Sequence, residues 1–366
     1  MSRQFKPLSA ITSIAAFAAV GIIAFVSAAY ASPAHSPNTG RSKPAGLTSW
    51  GIANAGQGDA SSTLVRMAPQ SNLALLSRAE KLGPHAQTAT MKLTIGLKLR
   101  NVQKLKRFLA EVQNPGNPKY HSFLTPARFT ELYGPTQAQV DAVKTFLQQN
   151  GIRVLDVSPN RTLIHTEAST AAFERAFAIS INDYKLNGRS FLGTQDRPQI
   201  PRTLTGTVLS VLGLDNSQVM RPHSRFKTLA ARSGATGPDV APPPATSSSA
   251  YFNPSQISTA YDWPDITNSN NGAGVSVAII TADSSGFASD NSASTFWNAY
   301  GLPGHTINVI PVDGDEGLTN GMVETLLDVE WSGAMAPGIT QNVYVAADPY
   351  LTTFTDAYNQ FVNDGT

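Results

Sequence analysis

The stretch Gly321-Met-Val-Glu-Thr-Leu-Leu-Asp-Val-Glu-Trp-Ser-Gly-Ala-Met-Ala-Pro337 predicts a helix that carries two carboxylates, Glu324 and Asp328, four residues apart. Residues at this spacing share one helix face, where two negative charges repel each other and weaken the helix slightly. One interpretation is an acidic face in water, with Glu324 stabilised near the positive end of the helix dipole. The other is a coupled acid and base pair set among apolar residues. The helix alone leaves both interpretations open.

Short apolar strands alternate with helical patterns around this stretch. Strands are predicted at Val275–Thr281, Thr306–Val312 and Ile339–Ala346, and helices at Ser289–Tyr300, Met322–Met335 and Tyr350–Val362. This alternation is typical of a parallel α/β sheet with helices on both faces. Three strands leave an unpaired edge and an incomplete core, so residues 251–366 are expected to be the first part of a larger domain.

Residues 224–250 begin with basic residues and continue as a run rich in Ser, Gly and Pro. Such a composition is typical of an exposed linker between domains. Basic residues beside a flexible polar segment also make a good proteolytic cleavage site. Because the charge changes sharply across this segment, we interpret it as a processing linker and not as a passive one.

Residues 50–223 are predicted to form a compact unit of another kind. The order is a strand at Thr90–Arg100, helices, two strands, a helix, and a hairpin at Ile181–Leu192 that turns at Asn187-Gly188. This βαββαβ order predicts an α+β ferredoxin-like sandwich. The unit has no constellation of catalytic residues, and its single histidines His121 and His165 are interpreted as structural.

The N-terminus has the pattern of an export signal. Arg3 and Lys6 are followed by an apolar run, and Ala29-Tyr30-Ala31 fits a cleavage site. The cleavage motif favours a signal peptide at residues 1–31 over a membrane anchor. Residues 32–49 are polar and expected to be poorly ordered. The mature protein is therefore expected to be secreted, extracellular or periplasmic, with no membrane segment.

The 366-residue chain contains no cysteine, which excludes disulfide and thiol chemistry. Its formal net charge of +2 is unevenly distributed. Residues 1–250 hold all 27 Lys and Arg and 12 Asp and Glu, whereas residues 251–366 hold 13 Asp and Glu and no Lys or Arg. The simplest use of a basic and an acidic part is that they bind each other. The positive charges are scattered, so nucleic-acid binding is not predicted.

These features together resemble the sedolisin (kumamolisin-like) serine-carboxyl peptidases. The first unit is similar to their activation propeptide in the strand Leu93–Arg100 and in Asn117-Pro-Lys-Tyr-His-Ser-Phe-Leu-Thr-Pro126. Three stretches resemble the mature enzymes of the family. Tyr251–Tyr261 is similar to their N-terminus, and Val275–Ile280 is similar to their first core strand. Gly321–Gly338 is similar to their helix with the pattern Glu-x-x-x-Asp, which is followed by Ala-Pro-Gly. The resemblance covers nearly all of residues 50–366.

The resemblance implies a propeptide at residues 50–223 and a partial α/β subtilisin-like parallel-sheet domain at residues 251–366. It implies a serine-type endopeptidase in which Glu324 is the general base for a serine nucleophile and Asp328 orients and charge-couples with that base. A nucleophilic serine needs a base within reach and a group that positions the base, and a carboxylate base works best in acid. The implied partners of this monomer are protein or peptide substrates and its own propeptide.

Three other side chains of this part of the chain receive different interpretations. Glu330 lies two positions beyond Asp328 and is predicted to face water, while Trp331 could wall the site or pack in the core. His305 follows Gly304 in an ordinary loop, so a histidine base is not supported.

Parts of the family pattern are not found in this sequence. It contains no Ser-Gly-Thr-Ser-like nucleophile motif, and the family's oxyanion aspartate and calcium-binding loop belong to later sequence. Ca²⁺ is therefore expected from the family with ligands outside this chain, and Asp313-Gly-Asp-Glu-Gly317 is interpreted as an acidic surface turn. We expect the N-terminal portion of a zymogen, inactive alone, whose propeptide inhibits the enzyme and assists folding. The alternative is a truncated, non-catalytic product that acts as a secreted propeptide-like inhibitor or binding module.

Overall fold

The computed structural model describes residues 64–68, 73–220, 252–263, 271–282, 292–314 and 322–365. These residues fall into two compact units. The antiparallel unit comprises residues 64–110 and 127–218, and the parallel unit comprises residues 111–126 with the described residues from 219 to 365. The predicted signal peptide, the segment 32–49 and the linker 224–250 lie outside the described residues.

The chain from residue 64 to residue 212 is a mixture of helices and strands. In order, these are β1 (Leu64–Arg66), α1 (Leu73–Leu76), β2 (Glu80–Pro84), β3 (Thr90–Leu97), α2 (Val102–Gln113), α3 (Pro126–Tyr133), α4 (Gln137–Gln149), β4 (Arg153–Val157), β5 (Leu163–Ser169), α5 (Thr170–Phe177), β6 (Asn182–Leu186), β7 (Arg189–Gly193), β8 (Gln199–Pro201) and β9 (Val208–Leu212).

The main sheet of the antiparallel unit has the strand order β4-β5-β3-β9, with antiparallel pairing throughout. The central strand β3 pairs Thr90 with Ser169 and Gly96 with Leu163 of β5. Its apolar face shares one hydrophobic core with helices α4 and α5. The core includes Leu93, Ile95, Val140, Val143, Leu147, Phe173 and Phe177.

The hairpin that the sequence analysis used as the last strand of the ferredoxin-like pattern belongs to a different sheet. It turns at Asn187 and Gly188 as predicted, with positive φ at both residues (51° and 81°). However, β6 and β7 pair with β2, and the fourth strand of the main sheet is β9. The physical reason is side-chain packing. Tyr184 and Phe191 of the hairpin stack on each other in a small separate core, whereas Val208 and Val211 of β9 enter the main core.

Side-chain caps define the starts of the two helices on the main sheet. The Thr136 hydroxyl accepts a hydrogen bond from the backbone N–H of Gln139, and the Gln139 side chain accepts one from the backbone N–H of Thr136. This capping box satisfies two backbone donors that an α-helix leaves free at its start. The Ser169 hydroxyl caps α5 by accepting from the backbone N–H of Ala172.

The described residues from Phe252 to Gly365 form the elements of the parallel sheet and its helices. These are α6 (Pro254–Ala260), β10 (Ser276–Thr281), α7 (Ser292–Ala299), β11 (Thr306–Val312), α8 (Met322–Met335), β12 (Thr340–Ala346) and α9 (Leu351–Asp364). The predicted bounds of β11 and α8 agree with the structure, and the other predicted strands and helices here differ by up to a few residues. Residues 283–291 and 315–321 lie outside the described part of the chain.

The three strands are parallel, in the order β10-β12-β11. The middle strand β12 is buried from Gln341 to Ala346, which explains its continuous apolar sequence. On one face, side chains of α7 and α8 share a core with Ile279 and Val343. On the other face, the ring of Tyr344 contacts Phe361 of α9 at a centroid distance of 5.9 Å.

None of the helices in the described ranges combines the length and the apolar character that crossing a membrane requires.

Candidate active site

Helix α8 begins at the carboxyl edge of the parallel sheet. Thr281 is the last residue of β10, and its hydroxyl lies 2.7 Å from the hydroxyl of Thr325 in the first turn of α8. The Thr325 side chain is fully buried, and Glu324 is the residue before it. The carboxyl edge of a parallel sheet is the usual place of functional sites in open α/β folds. Glu324 therefore lies where such a site is expected.

Glu324 is half-buried, and one of its carboxylate oxygens is left without a partner. Its Oε2 atom is inaccessible to solvent and has no hydrogen bond to the described residues. Leaving a buried carboxylate oxygen unpaired costs free energy, so buried polar atoms in folded proteins nearly always have a partner. The unpaired Oε2 of Glu324 is therefore available to accept a proton or a hydrogen bond from a donor outside the described residues.

Asp328 interacts electrostatically with Glu324. Although part of the Asp328 side chain is exposed, burial of the remainder raises the pKa of its carboxyl group, and the negative charge of Glu324 raises that pKa further. The i, i+4 spacing thus places Glu324 close enough for its charge to raise the pKa of Asp328. The Asp328 carboxyl group therefore keeps its proton to a higher pH than an ordinary aspartate does. The catalytic roles assigned to Glu324 and Asp328 stay predictions.

His305 is separated from this pair. Its Nδ1–H donates a hydrogen bond to the Pro337 carbonyl (2.8 Å), and its ring packs edge-on against Trp297. Pro337 comes thirteen residues after Glu324, which corresponds to roughly 20 Å along a helix. Burial lowers the pKa of His305, although its hydrogen bond to Pro337 acts in the opposite direction. A neutral histidine at the far end of α8 is part of the packing and is out of reach as a base.

Glu330 lies on another face of α8, whereas Trp331 follows Asp328 by three residues on nearly the same face. Glu330 is partly exposed, and its backbone carbonyl accepts a hydrogen bond from the Trp297 indole N–H at 2.9 Å. Trp331 packs against the ring of Phe296 with a centroid distance of 5.8 Å. Trp331 also lines an open groove. Its predicted role as a wall of the catalytic site stays a prediction.

The groove lies between α6 and the outer face of α8 and has a volume of about 660 Å³. It is lined by apolar and aromatic residues, namely Phe252, Ile257, Tyr261, Trp263, Leu327, Trp331 and Met335. Several of these side chains are well exposed, including Leu327, which precedes Asp328. A contiguous apolar patch of this kind on a soluble protein is typical of a surface that another group covers.

A metal site is not evident in the described part of the chain, where no three His, Cys, Asp or Glu side chains converge. In the acidic turn Asp313–Gly317, only Asp313 and Gly314 lie within the described residues, and both have positive φ. The calcium ion expected from the family resemblance stays an expectation.

Sequence reasoning missed two residues of the site, Thr281 and Thr325. Thr281 appeared only as the polar end of an apolar strand, and Thr325 as an unremarked neighbour of Glu324. A hydrogen bond between two hydroxyl groups on separate elements depends on how the helix lies on the sheet. The one available signal was a hydroxyl-bearing residue at the end of the apolar strand, Thr281, and another beside Glu324.

Comparison with known proteins identifies the class of protein. Residues 77–217 match the family model described as Pro-kumamolisin, activation domain. Together with the similarities below, this match supports a sedolisin-family chain that carries the family's activation domain.

Three curated relatives illustrate the similarity. The chain is 44% identical over 125 residues to xanthomonalisin from Xanthomonas sp. (strain T-22), covering 34% of this chain and 15% of that protein. It is 31% identical over 288 residues to sedolisin from Pseudomonas sp. (strain 101), covering 75% and 46% of the two chains. It is 25% identical over 292 residues to kumamolisin from Bacillus sp. (strain MN-32), covering 75% and 49%. The aligned region thus spans about half or less of the length of these relatives.

Proposed function

We propose that this chain is the N-terminal portion of a secreted, acid-acting serine-carboxyl endopeptidase precursor. In this proposal, residues 50–223 form a ferredoxin-like propeptide that inhibits the enzyme and assists its folding. The strand order β4-β5-β3-β9, with helices between the strands, supports that fold. Residues 251–366 form the first part of a subtilisin-like catalytic domain, which the parallel sheet with helices on both faces supports.

Glu324 is the general base in this proposal, and Asp328 orients it. The observation that carries the assignment is the buried, unpartnered Oε2 of Glu324 beside a carboxyl group whose pKa is raised by burial and by the charge of Glu324. An oxygen without a hydrogen-bond donor can accept the proton of a serine hydroxyl when that serine attacks a peptide carbonyl. The serine would come from the part of the enzyme that the relatives carry beyond the aligned region.

The uneven charge distribution suggests how acid activates the precursor. Residues 1–250 have a formal charge of +15 and residues 251–366 one of −13, so the two parts attract each other at neutral pH. Protonation of carboxylates in acid weakens this attraction and favours release of the propeptide, followed by cleavage within residues 224–250. The mature enzyme would then act on proteins or peptides outside the cytoplasm, after removal of residues 1–31.

The test is self-processing of the complete precursor encoded by the gene, expressed with its native continuation. We expect Glu324→Gln and Asp328→Asn to slow self-processing at acidic pH by about 10³-fold or more. Each substitution replaces one carboxylate of the Glu324–Asp328 pair by an amide of nearly the same shape that cannot act as a base. Processing is measured as the appearance of the mature N-terminus over time. Glu330→Gln on another face of the same helix is the matched control and should process at the wild-type rate.

The outcomes separate the two functions that the sequence leaves open. Normal processing of Glu324→Gln would defeat the assignment of the base. A precursor that never processes, even as the wild type, but binds and inhibits a related peptidase would favour the secreted inhibitor.

A further inference from the structure

Helix α8 is attached to its surroundings by polar side chains on a face that is otherwise apolar. The Gln341 side-chain amide donates to the Val329 carbonyl (2.7 Å) and to the Ser332 hydroxyl (2.8 Å), and that hydroxyl donates to the Asp328 carbonyl. These contacts fix the second half of α8. The first turn is attached differently, through the hydroxyl groups of Thr281 and Thr325 at 2.7 Å.

The position of Thr281 on the sheet makes this contact specific. Thr281 lies on the same face of β10 as Ile279, which belongs to the core beneath α7 and α8. Valine has nearly the same shape as threonine and would suit such a face. A buried hydroxyl costs free energy unless it is hydrogen-bonded. The Thr281 side chain is partly buried, and its hydroxyl has a partner in the hydroxyl of Thr325.

A hydrogen bond restricts a helix in a way that apolar contacts do not. Apolar packing is non-directional, whereas a hydrogen bond requires a defined distance and angle between two atoms. Sliding α8 by one residue would move its first turn by about 1.5 Å and rotate the contact face by about 100°. The bond between Thr281 and Thr325 allows neither movement. Glu324 is covalently adjacent to Thr325, so the position of its backbone is set together with that contact.

We propose that Thr281 is a positioning residue which, through the hydroxyl of Thr325, holds Glu324 in its buried position beside Asp328. This inference rests on the proposed function for its catalytic meaning, but its structural content can be tested without activity. In this proposal, Thr281 acts on Glu324 indirectly, through Thr325. It sets the place of the first turn of α8, and the turn presents the carboxylate.

The test measures the pKa of Asp328 in the full chain by NMR, with ¹³C-labelled aspartate carboxyl groups and Asp328→Asn to assign the signal. We expect Thr281→Val to lower this pKa by at least about half a pH unit, because Glu324 moves toward water and its charge is screened. Thr281→Ser restores the hydroxyl and should retain the wild-type pKa. If Thr281→Val does not fold, Thr281→Ala removes the same hydroxyl with less bulk and takes its place.

Two controls separate positioning from a general loss of packing. Thr355→Val removes another buried hydroxyl of the same unit, which donates to the Leu351 carbonyl within α9 (2.7 Å). Both valine variants should lower the melting temperature, but only Thr281→Val should lower the pKa of Asp328. In a Glu324→Gln background, Thr281→Val should no longer change that pKa, since the effect passes through the charge of Glu324.

An unchanged pKa of Asp328 in Thr281→Val would overturn the positioning role, and so would an equal shift in Thr355→Val. Neither result depends on whether Glu324 is a catalytic base, which the processing of Glu324→Gln decides separately. In the complete precursor, we expect Thr281→Val to reduce kcat about tenfold with little change in KM, and Thr281→Ser to restore it.

Discussion

Helices α4 and α8 have nearly the same length, 13 and 14 residues, but they satisfy their polar groups differently. Helix α4 begins with a complete capping box, and its Asp141 accepts a hydrogen bond from Gln137 one turn earlier. Its buried side chains all enter the core of the antiparallel unit. Helix α8 has a buried carboxylate oxygen without a partner and exposes apolar side chains to solvent.

The difference distinguishes a helix that completes a fold from one that serves another group. In α4, the capping box, the side-chain hydrogen bond and the buried apolar face are all consistent with one packed position, as expected for a structural helix. In α8, the violations are concentrated on one side, around Glu324 and Leu327. Sites that conflict with local rules while the rest of the helix obeys them are typical of function. The following predictions test this contrast with one change in each helix, then within α8.

The largest expected effect compares two leucines. Leu147 of α4 is fully buried, so Leu147→Ala leaves a cavity and should reduce the free energy of unfolding by about 3 kcal/mol. Leu327 of α8 is 42% exposed, so Leu327→Ala should cost less than about 0.5 kcal/mol. Urea unfolding of the full chain, followed by circular dichroism, measures both. Equal costs would mean that the outer face of α8 is packed as tightly as α4, and the contrast between the helices would fail.

An intermediate effect is expected at Gly333, near the end of α8. A glycine inside a helix normally costs about 0.5–1 kcal/mol relative to alanine, so Gly333→Ala should stabilise a free helix. Here a Cβ atom would lie 2.6 Å from a carbon of the His305 ring and 2.7 Å from Trp297. Both rings are held in place by hydrogen bonds and cannot move away freely.

We therefore expect Gly333→Ala to lower the free energy of unfolding by about 2 kcal/mol, through overpacking. Gly304→Ala is the matched control, because a Cβ there would meet no atom within 4 Å. Thermal unfolding of the two variants measures the difference. A stabilised Gly333→Ala would show that α8 is free to shift away from His305, and would contradict its fixed position.

Local patterns were sufficient for the elements but not for the pairing between them. The bounds of α8 followed from apolar periodicity between Gly321 and Pro337, and those of β11 from a short, mostly apolar run. These signals lie within or next to each element. The outer partner of β3 did not follow, because β9 and the hairpin strands are all short and each could supply the fourth strand. Which of them enters the main core depends on contacts with residues more than a hundred positions away.

The candidate site divides in the same way. The spacing of Glu324 and Asp328 placed them on one helix face, and the resemblance to a peptidase family supplied their roles. The burial of Glu324 Oε2 and the bond between Thr281 and Thr325 arise from the placement of α8 on the sheet. A sequence pattern cannot report them, because tertiary hydrogen bonds depend on register and on the relative rotation of two elements.

The smallest expected effect concerns the charge of Asp328 and has a defined sign. Burial, followed by the charge of Glu324, raises the pKa of Asp328 above its ordinary value of 3.8 in the folded state. In the pH range between that value and the higher folded pKa, the folded state therefore binds more protons than the unfolded state. Stability from this group is fully present below pH 3.8 and is lost as the pH rises through the folded pKa.

Asp328→Asn keeps the group neutral at every pH, so the variant should match the wild type at pH 3 and exceed its stability at pH 7. The gain should stay below about 1 kcal/mol, because the carboxylate is partly exposed and screened by solvent. Urea unfolding at both pH values measures the gain, and the acidic measurement serves as the internal control. A variant that is less stable than the wild type at pH 7 would mean that the ionised Asp328 is stabilised by its neighbours. In that case Asp328 would resemble Asp141 of α4, whose carboxylate accepts a hydrogen bond. The unfavourable burial of charge that distinguishes α8 from α4 would then be absent.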